Sequence, residues 1–167
     1  MEPTLELIVR RPTVGEREIL EEGQLDLAQG LVGDGWLNRG SKRTPDGRAD
    51  VFKQITIIST LALREIEPDP ARWPLAGDQL YVSMDLGENE LPVGSHLCIG
   101  EAVLQITEPP HTGCDKFAAR FGREALVRFS TSDARRARKR GVHAKVTRPG
   151  RIRRGDHVSN VTAPFFF

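Results

Sequence analysis

A chain of 167 residues with 38% hydrophobic and 28% charged residues can bury a core without metal or disulfide staples and is too apolar for intrinsic disorder. Its formal net charge of +1 hides a segregation: residues 116–154 hold 14 Lys and Arg against Glu124 and Asp133, leaving 10 basic and 21 acidic residues elsewhere. No stretch approaches the ~20 apolar residues of a membrane span, the opening LELIV with Glu2, Glu6 and Arg10 around it lacks the basic start and apolar run expected of a signal peptide, and two cysteines make no secreted disulfide framework.

A cytoplasmic protein with free thiols is therefore expected, and the basic segment suits an anionic ligand or a solvated face balancing acidic neighbours. Residues 5–9 form an apolar strand, and Pro12 with Gly15 turns the chain into a second strand over residues 17–22. Gly30, Gly33 and Gly35 then surround Asp34, in a loop that either approaches a ligand closely or merely turns. Residues 37–50 are polar and read as a loop carrying Lys42 and Arg43. Residues 53–58 are a β-branched strand, and Ser59 with Thr60 can cap a short helix over residues 61–66. Pro68, Pro70 and Pro74 enforce an irregular connection to a strand over residues 79–84.

The most informative stretch is residues 85–121. Residues 96–99 and 102–107 flank Gly100-Glu101, the signature of a hairpin with a type II′ turn, in which Leu97 faces Leu104 and Cys98 faces Val103. Cys98 thereby reads as a small buried apolar residue. Cys114 follows Pro109-Pro110-His111-Thr112-Gly113 and precedes a run with helical spacing between Phe117 and Phe121. A thiol at a helix start is biased toward thiolate, a nucleophile and a soft metal ligand. A structural cysteine buried in a tight turn fits the same residues.

Residues 122–128 and 132–140 read as helices, the second capped by Ser132 and closed by Gly141. Val142, Ala144 and Val146 alternate with His143, Lys145 and Thr147, a strand with one apolar face. Pro149-Gly150 turns it back, and Arg154-Gly155-Asp156, an integrin tripeptide elsewhere, suits a tight turn before residues 157–161. The chain finishes on Phe165-Phe166-Phe167, which must cover or be covered by something apolar. Seven or eight short strands with a few short helices predict a mainly β protein, a small barrel with helical decoration.

In this order Gly30-Leu31-Val32-Gly33-Asp34, Leu86-Gly87-Glu88-Asn89, Pro110-His111-Thr112-Gly113-Cys114, Arg140-Gly141-Val142-His143 and Arg154-Gly155-Asp156-His157 resemble the MOSC domain, named for the C-terminal domain of molybdenum cofactor sulfurases. The likeness is to its small stand-alone bacterial members. It implies one domain over residues 1–167, with its core at about residues 26–161, an apolar tail at 162–167 and a closed β-barrel of the pyruvate-kinase barrel type. It implies a molybdenum cofactor (molybdopterin) with Cys114 as metal ligand or sulfur-handling residue, and His111 beside it as a catalytic partner. Lys42, Arg43, Asn89 and Arg140 become the cofactor contacts, each otherwise explained by surface solvation or, for Asn89, turn capping.

The activity implied is reduction of an N-hydroxylated or similar small substrate, with an external reductase as partner. The alternative is a carrier holding sulfur as a Cys114 persulfide, supplied by a sulfur donor protein. A nucleic-acid-binding barrel ranks last, since one Tyr and two Trp leave few stacking residues. Two departures stand out. Asp34 is followed by Gly35-Trp36 where the family often has a basic or histidine residue, and no aminotransferase-like domain is present to hold pyridoxal phosphate.

Overall fold

Short alternating strands can bury a core only by curling around it, and the computed structural model of the chain, which describes residues 2–161, shows how. The Phe165 to Phe167 tail lies outside the described residues. The elements are β1 (Leu5–Arg10), β2 (Glu18–Leu20), β3 (Glu22–Asp26), β4 (Gly30–Leu31), α1 (Trp36–Arg39), β5 (Ile55–Ser59), α2 (Thr60–Ile66), β6 (Leu80–Val82), β7 (His96–Ile99), β8 (Ala102–Ile106), α3 (Asp115–Phe121), α4 (Arg123–Phe129), α5 (Ser132–Arg136), β9 (Val142–Arg148), β10 (Gly150–Arg153) and β11 (Val158–Val161), with 3-10 helices at Val51–Lys53 and Pro70–Ala76. No helix among the described residues is long and apolar enough to cross a membrane.

Eight strands form one sheet in the order β11-β7-β8-β9-β5-β6-β1-β2, and β10-β3-β4 form a second. The large sheet curls into a half-barrel and stays open, short of the closed barrel expected. Its nearest approach to a seam is a single bridge between Thr4 and His157, flanked by Leu5 N–H donating to Asp156 O at 2.8 Å and Gly155 N–H donating to Leu5 O at 2.7 Å. On its other side Val158 N–H donates to Pro3 O at 3.0 Å, the Asp156 carboxylate holds the turn by accepting from Arg153 N–H, and among the described residues the pairing goes no further.

The concave face packs Leu5, Ile8, Ile55, Ile57, Leu97 and Leu104 against Leu25, Leu31 and Ile152 of the small sheet. On the convex face α2 and the 3-10 helix Pro70–Ala76 lay Leu63, Trp73 and Ala76 over Leu7, Val9, Ile58 and Tyr81. β5 is thus buried on both faces, which is why it reads as an unbroken β-branched run. It pairs antiparallel with β9 and parallel with β6, and the parallel pairing demands the crossover that α2 supplies. Ser59 caps α2 by accepting from Leu61 N–H, as its sequence promised.

The β7–β8 hairpin has the expected register, Leu97 opposite Leu104 and Cys98 opposite Val103. Gly100 has φ 56 while Glu101 keeps a negative φ, the asymmetry of a type II′ turn. Cys98 is half-buried rather than buried. Residues 17–22 divide between two strands, β2 and β3. The helix expected over residues 132–140 stops at Arg136 and is capped by Thr131, whose hydroxyl accepts from Ala134 N–H. It stops because Arg138 adopts φ 49 to carry its guanidinium onto the carbonyls of Leu86 and Leu91.

The charge segregation is resolved within the fold. Lys139 pairs with Glu65, Arg140 with Asp78, Arg151 and Arg153 with Glu22, and Arg154 with Glu21. The exposed pairs among these contribute only ~0–1 kcal/mol each, Arg140 with Asp78 being the buried one, and together they lay the basic segment against the acidic one. Asp34 has a structural role: its carboxylate, fully buried, accepts from Arg11 N–H, Nε and Nη2 and from Trp36 N–H.

Candidate functional site

The loop between β8 and α3 folds back over the start of β9 and encloses a cavity of about 260 Å³. Its walls are Pro109, Pro110, His111 and Gly113 from that loop, Phe129 and Arg135 from the α4–α5 region, and Arg138, Arg140 and His143 from the segment entering β9. Prolines at 109 and 110 keep the loop out of any ladder, and Gly113 lets it pass Leu126, whose Cδ1 would lie 2.5 Å from a Cβ there.

Beneath the cavity lies Asp78, a fully buried carboxylate just before β6. His111 Nε2 lies 2.7 Å from one of its oxygens and Arg140 Nη1 2.6 Å from the other. Arg140 Nη2 donates to Ala76 O at 3.0 Å, and its guanidinium lies 5.0 Å from the centre of the Phe117 ring. Burial by itself would raise the Asp78 pKa, yet the Arg140 charge and then the His111 contact hold it well below the usual carboxylate range. Asp78 is therefore ionised and balances one guanidinium. Arg140 Nε is buried and has no hydrogen-bond partner among the described residues.

His143 stacks at a tilt on His111, ring centroids 4.7 Å apart, and its Nδ1 lies 3.0 Å from Pro109 O. Burial lowers the pKa of His111 against the pull of Asp78. It lowers that of His143 to about 4, with the neighbouring His111 second. Both rings are neutral near neutral pH. His143 Nδ1 donates to the Pro109 carbonyl, which leaves Nε2 as the acceptor, and His111 Nε2 donates to Asp78, which leaves Nδ1. The arrangement can hold a proton on either side of a small bound molecule.

A pH effect follows. An unfolded histidine titrates near 6.5, so below that value the unfolded chain binds a proton that folded His143 refuses until about pH 4. Stability from this residue is complete above about pH 6.5 and declines as pH falls toward about 4, by up to ~3 kcal/mol. Urea unfolding of wild type and His143→Gln across this range should give a difference that shrinks with falling pH; a constant difference would disprove it.

Of the residues expected at the site, His111 and Arg140 meet on Asp78. Cys114 sits at the N-cap of α3, exposed, in extended backbone (φ −140, ψ −178), with no capping bond from its side chain. It adjoins Gly113 of the cavity wall without itself lining the cavity. Lys42 and Arg43 are exposed in the turn that follows α1, and Asn89 is exposed beside Glu88; none of the three lines the cavity. The sequence reading missed Asp78 and His143. His143 stood on the polar side of an alternating strand, the side that the 107–113 loop covers. Among the described residues no three His, Cys, Asp or Glu side chains gather as a metal cage.

A family model for the MOSC domain matches residues 51–159. No curated protein matches significantly in sequence. Among solved structures, the YuaD protein from Bacillus subtilis superposes with a TM-score of 0.67 at 19% identity, covering 95% of this chain and 94% of its own. YiiM from Escherichia coli gives 0.61 at 18% identity over 96% of this chain and 71% of that one. YiiM from Geobacillus stearothermophilus gives 0.65 at 14% over 95% and 75%. At these identities the likeness is one of fold, and it accords with the mainly β architecture. The family model spans well over half of the chain, and on that match the chain belongs to the MOSC domain family.

Proposed function

We propose that this protein binds a molybdenum cofactor, with the Cys114 thiolate as metal ligand at the rim of the His111–His143 cavity. The observation that carries the reading is an uncapped, exposed thiol next to a small cavity walled by Arg135, Arg138 and Arg140. The donor set fits the group. A soft thiolate suits molybdenum, guanidiniums suit its phosphate and polar ring edges, and the orphaned Arg140 Nε is a buried donor awaiting an acceptor. Lys42, Arg43 and Asn89 lie away from this wall, so Arg135 and Arg138 replace them as the better candidates.

When bound, the cofactor supplies a redox-active metal for reduction of an N-hydroxylated or similar small substrate, with electrons from an external reductase. The chain's own part is positional. Asp78 orients His111, the Pro109 carbonyl orients His143, and His143 Nε2 exchanges a proton with substrate. A cavity of about 260 Å³ admits a small molecule or one end of a larger one.

The exposure of Cys114 also favours a second reading, a carrier that holds a persulfide without molybdenum. Metal and pterin analysis of protein from a host that makes the cofactor separates the two. Stoichiometric molybdenum in wild type that falls to background in Cys114→Ala, with the circular dichroism spectrum unchanged, is the expected result. Folded wild type without molybdenum, with a persulfide on Cys114 by mass spectrometry, would sink the first reading.

A further inference from the structure

The 3-10 helix Pro70–Ala76 ends on Gly77 in the left-handed conformation, φ 80. The four successive carbonyls there are each met by a different arginine. Arg17 Nε donates to Pro74 O at 3.1 Å, Arg120 Nη1 to Leu75 O at 3.1 Å, Arg140 Nη2 to Ala76 O at 3.0 Å and Arg11 Nη1 to Gly77 O at 2.9 Å. Unpaired carbonyls at a helix end attract cations, which explains why four side chains from distant parts of the sequence gather here.

Their charges are not equally balanced. Arg11 is neutralised by Asp34 and Arg140 by Asp78. Arg17 and Arg120 make hydrogen bonds to backbone carbonyls and, among the described residues, no ion pair with a carboxylate. The two nonetheless meet. The position of a Cβ on Gly77 would lie 3.1 Å from Arg17 Nη2 and 3.3 Å from Arg120 Nη1, so both guanidiniums reach the bare face of the glycine. Arg39 lies close enough to Arg11 to feel its charge and adds to the positive field. Two half-buried guanidiniums brought together without an ion-paired carboxylate repel each other, and the Arg17 pKa is lowered first by burial and then by Arg120, which the more distant Asp78 does not outweigh. Such a pair is relieved by one shared multivalent anion, and guanidinium forks match phosphate oxygens in bidentate fashion.

We propose that Arg17 and Arg120 form a binding site over Gly77 for a single phosphate-class oxyanion, either free phosphate or the phosphate of a monoester. Arg17 Nη2, Arg120 Nε and Arg120 Nη2 have no partner among the described residues and are the donors. Neither residue lines the cavity under the 107–113 loop, so the site stands or falls independently of the molybdenum reading.

Calorimetric titration with inorganic phosphate and with phenyl phosphate, at ionic strength fixed by chloride, tests it. Arg17→Gln and Arg120→Gln should each weaken binding roughly tenfold, and the double variant should abolish it. Arg120→Lys, which keeps charge without the Nε–Nη2 fork, should fold normally and bind less tightly than wild type. Tighter binding of the monoester assigns the site to a phosphate ester, and equal affinity assigns it to the free ion. Undiminished binding in the folded double variant, or phosphate indistinguishable from chloride, overturns the proposal. Cys114→Ala should bind phosphate as wild type does, which keeps this outcome separate from that of the metal analysis.

Discussion

Asp78→Ala is expected to cost about 3–5 kcal/mol of stability, the range for removing one partner of a buried ion pair. The side chain is fully buried and receives Arg140 and His111 on its two oxygens. Without it the Arg140 guanidinium, 10% exposed, keeps its charge with only the Ala76 carbonyl and the Phe117 ring as company. His111 loses the contact that fixes its ring, so the cavity wall should loosen as well. Urea unfolding measures the first effect, and amide hydrogen exchange in residues 107–113 the second. Adding Arg140→Ala should recover part of the loss, because the uncompensated cation is then gone. A double variant as unstable as the sum of the two single ones would mean that the pair does not act as a unit.

Gly141→Ala is the second large effect, at about 3 kcal/mol or more from combined backbone strain and overpacking. Gly141 has φ 119, and a Cβ there would lie 2.4 Å from Ile57 O and 3.1 Å from His111 Cδ2. The first contact is with backbone of β5 and cannot yield without parting it from β9, since Ile57 pairs with Val142. The second pushes on the ring that Asp78 holds. Thermal unfolding should show the loss, and the His111 imidazole resonances should move in whatever fraction remains folded. A variant with wild-type midpoint and unshifted resonances would refute the steric argument.

Local chemistry made much of the fold legible. Glycine at the first position of a two-residue turn, with apolar residues alternating on both sides, allows one register for β7 and β8, and that register is found. Ser59 before α2 was readable for the same reason, whereas Gly141 does not close α5, which ends at Arg136 with the chain turning at Arg138. Strand number cannot say whether the outer strands meet, and the seam at Thr4 and His157 depends on a turn whose hydrogen bonds are tertiary. The site was half visible. His111 and Cys114 stood out because proline and glycine surround them. Asp78 did not, being one acid in a short connection whose partners lie 33 and 62 residues further along the chain. No periodicity links such positions. His143 carried the pattern of a solvated residue and is buried only because a distant loop lies across it.

The meeting of acidic and basic segments also bears on how the chain is made. Emerging from the ribosome, β1 to β8 carry the acidic excess and lack β9, the strand between β5 and β8, and β10, the partner of β3. Neither sheet can be completed, nor Glu21 and Glu22 paired with Arg151, Arg153 and Arg154, until residues 142–161 have been synthesised. Long-range pairing of this kind is slow and leaves strand edges open while it waits. Mutual repulsion among the carboxylates of that unfinished chain would keep those edges from joining their neighbours on the same message.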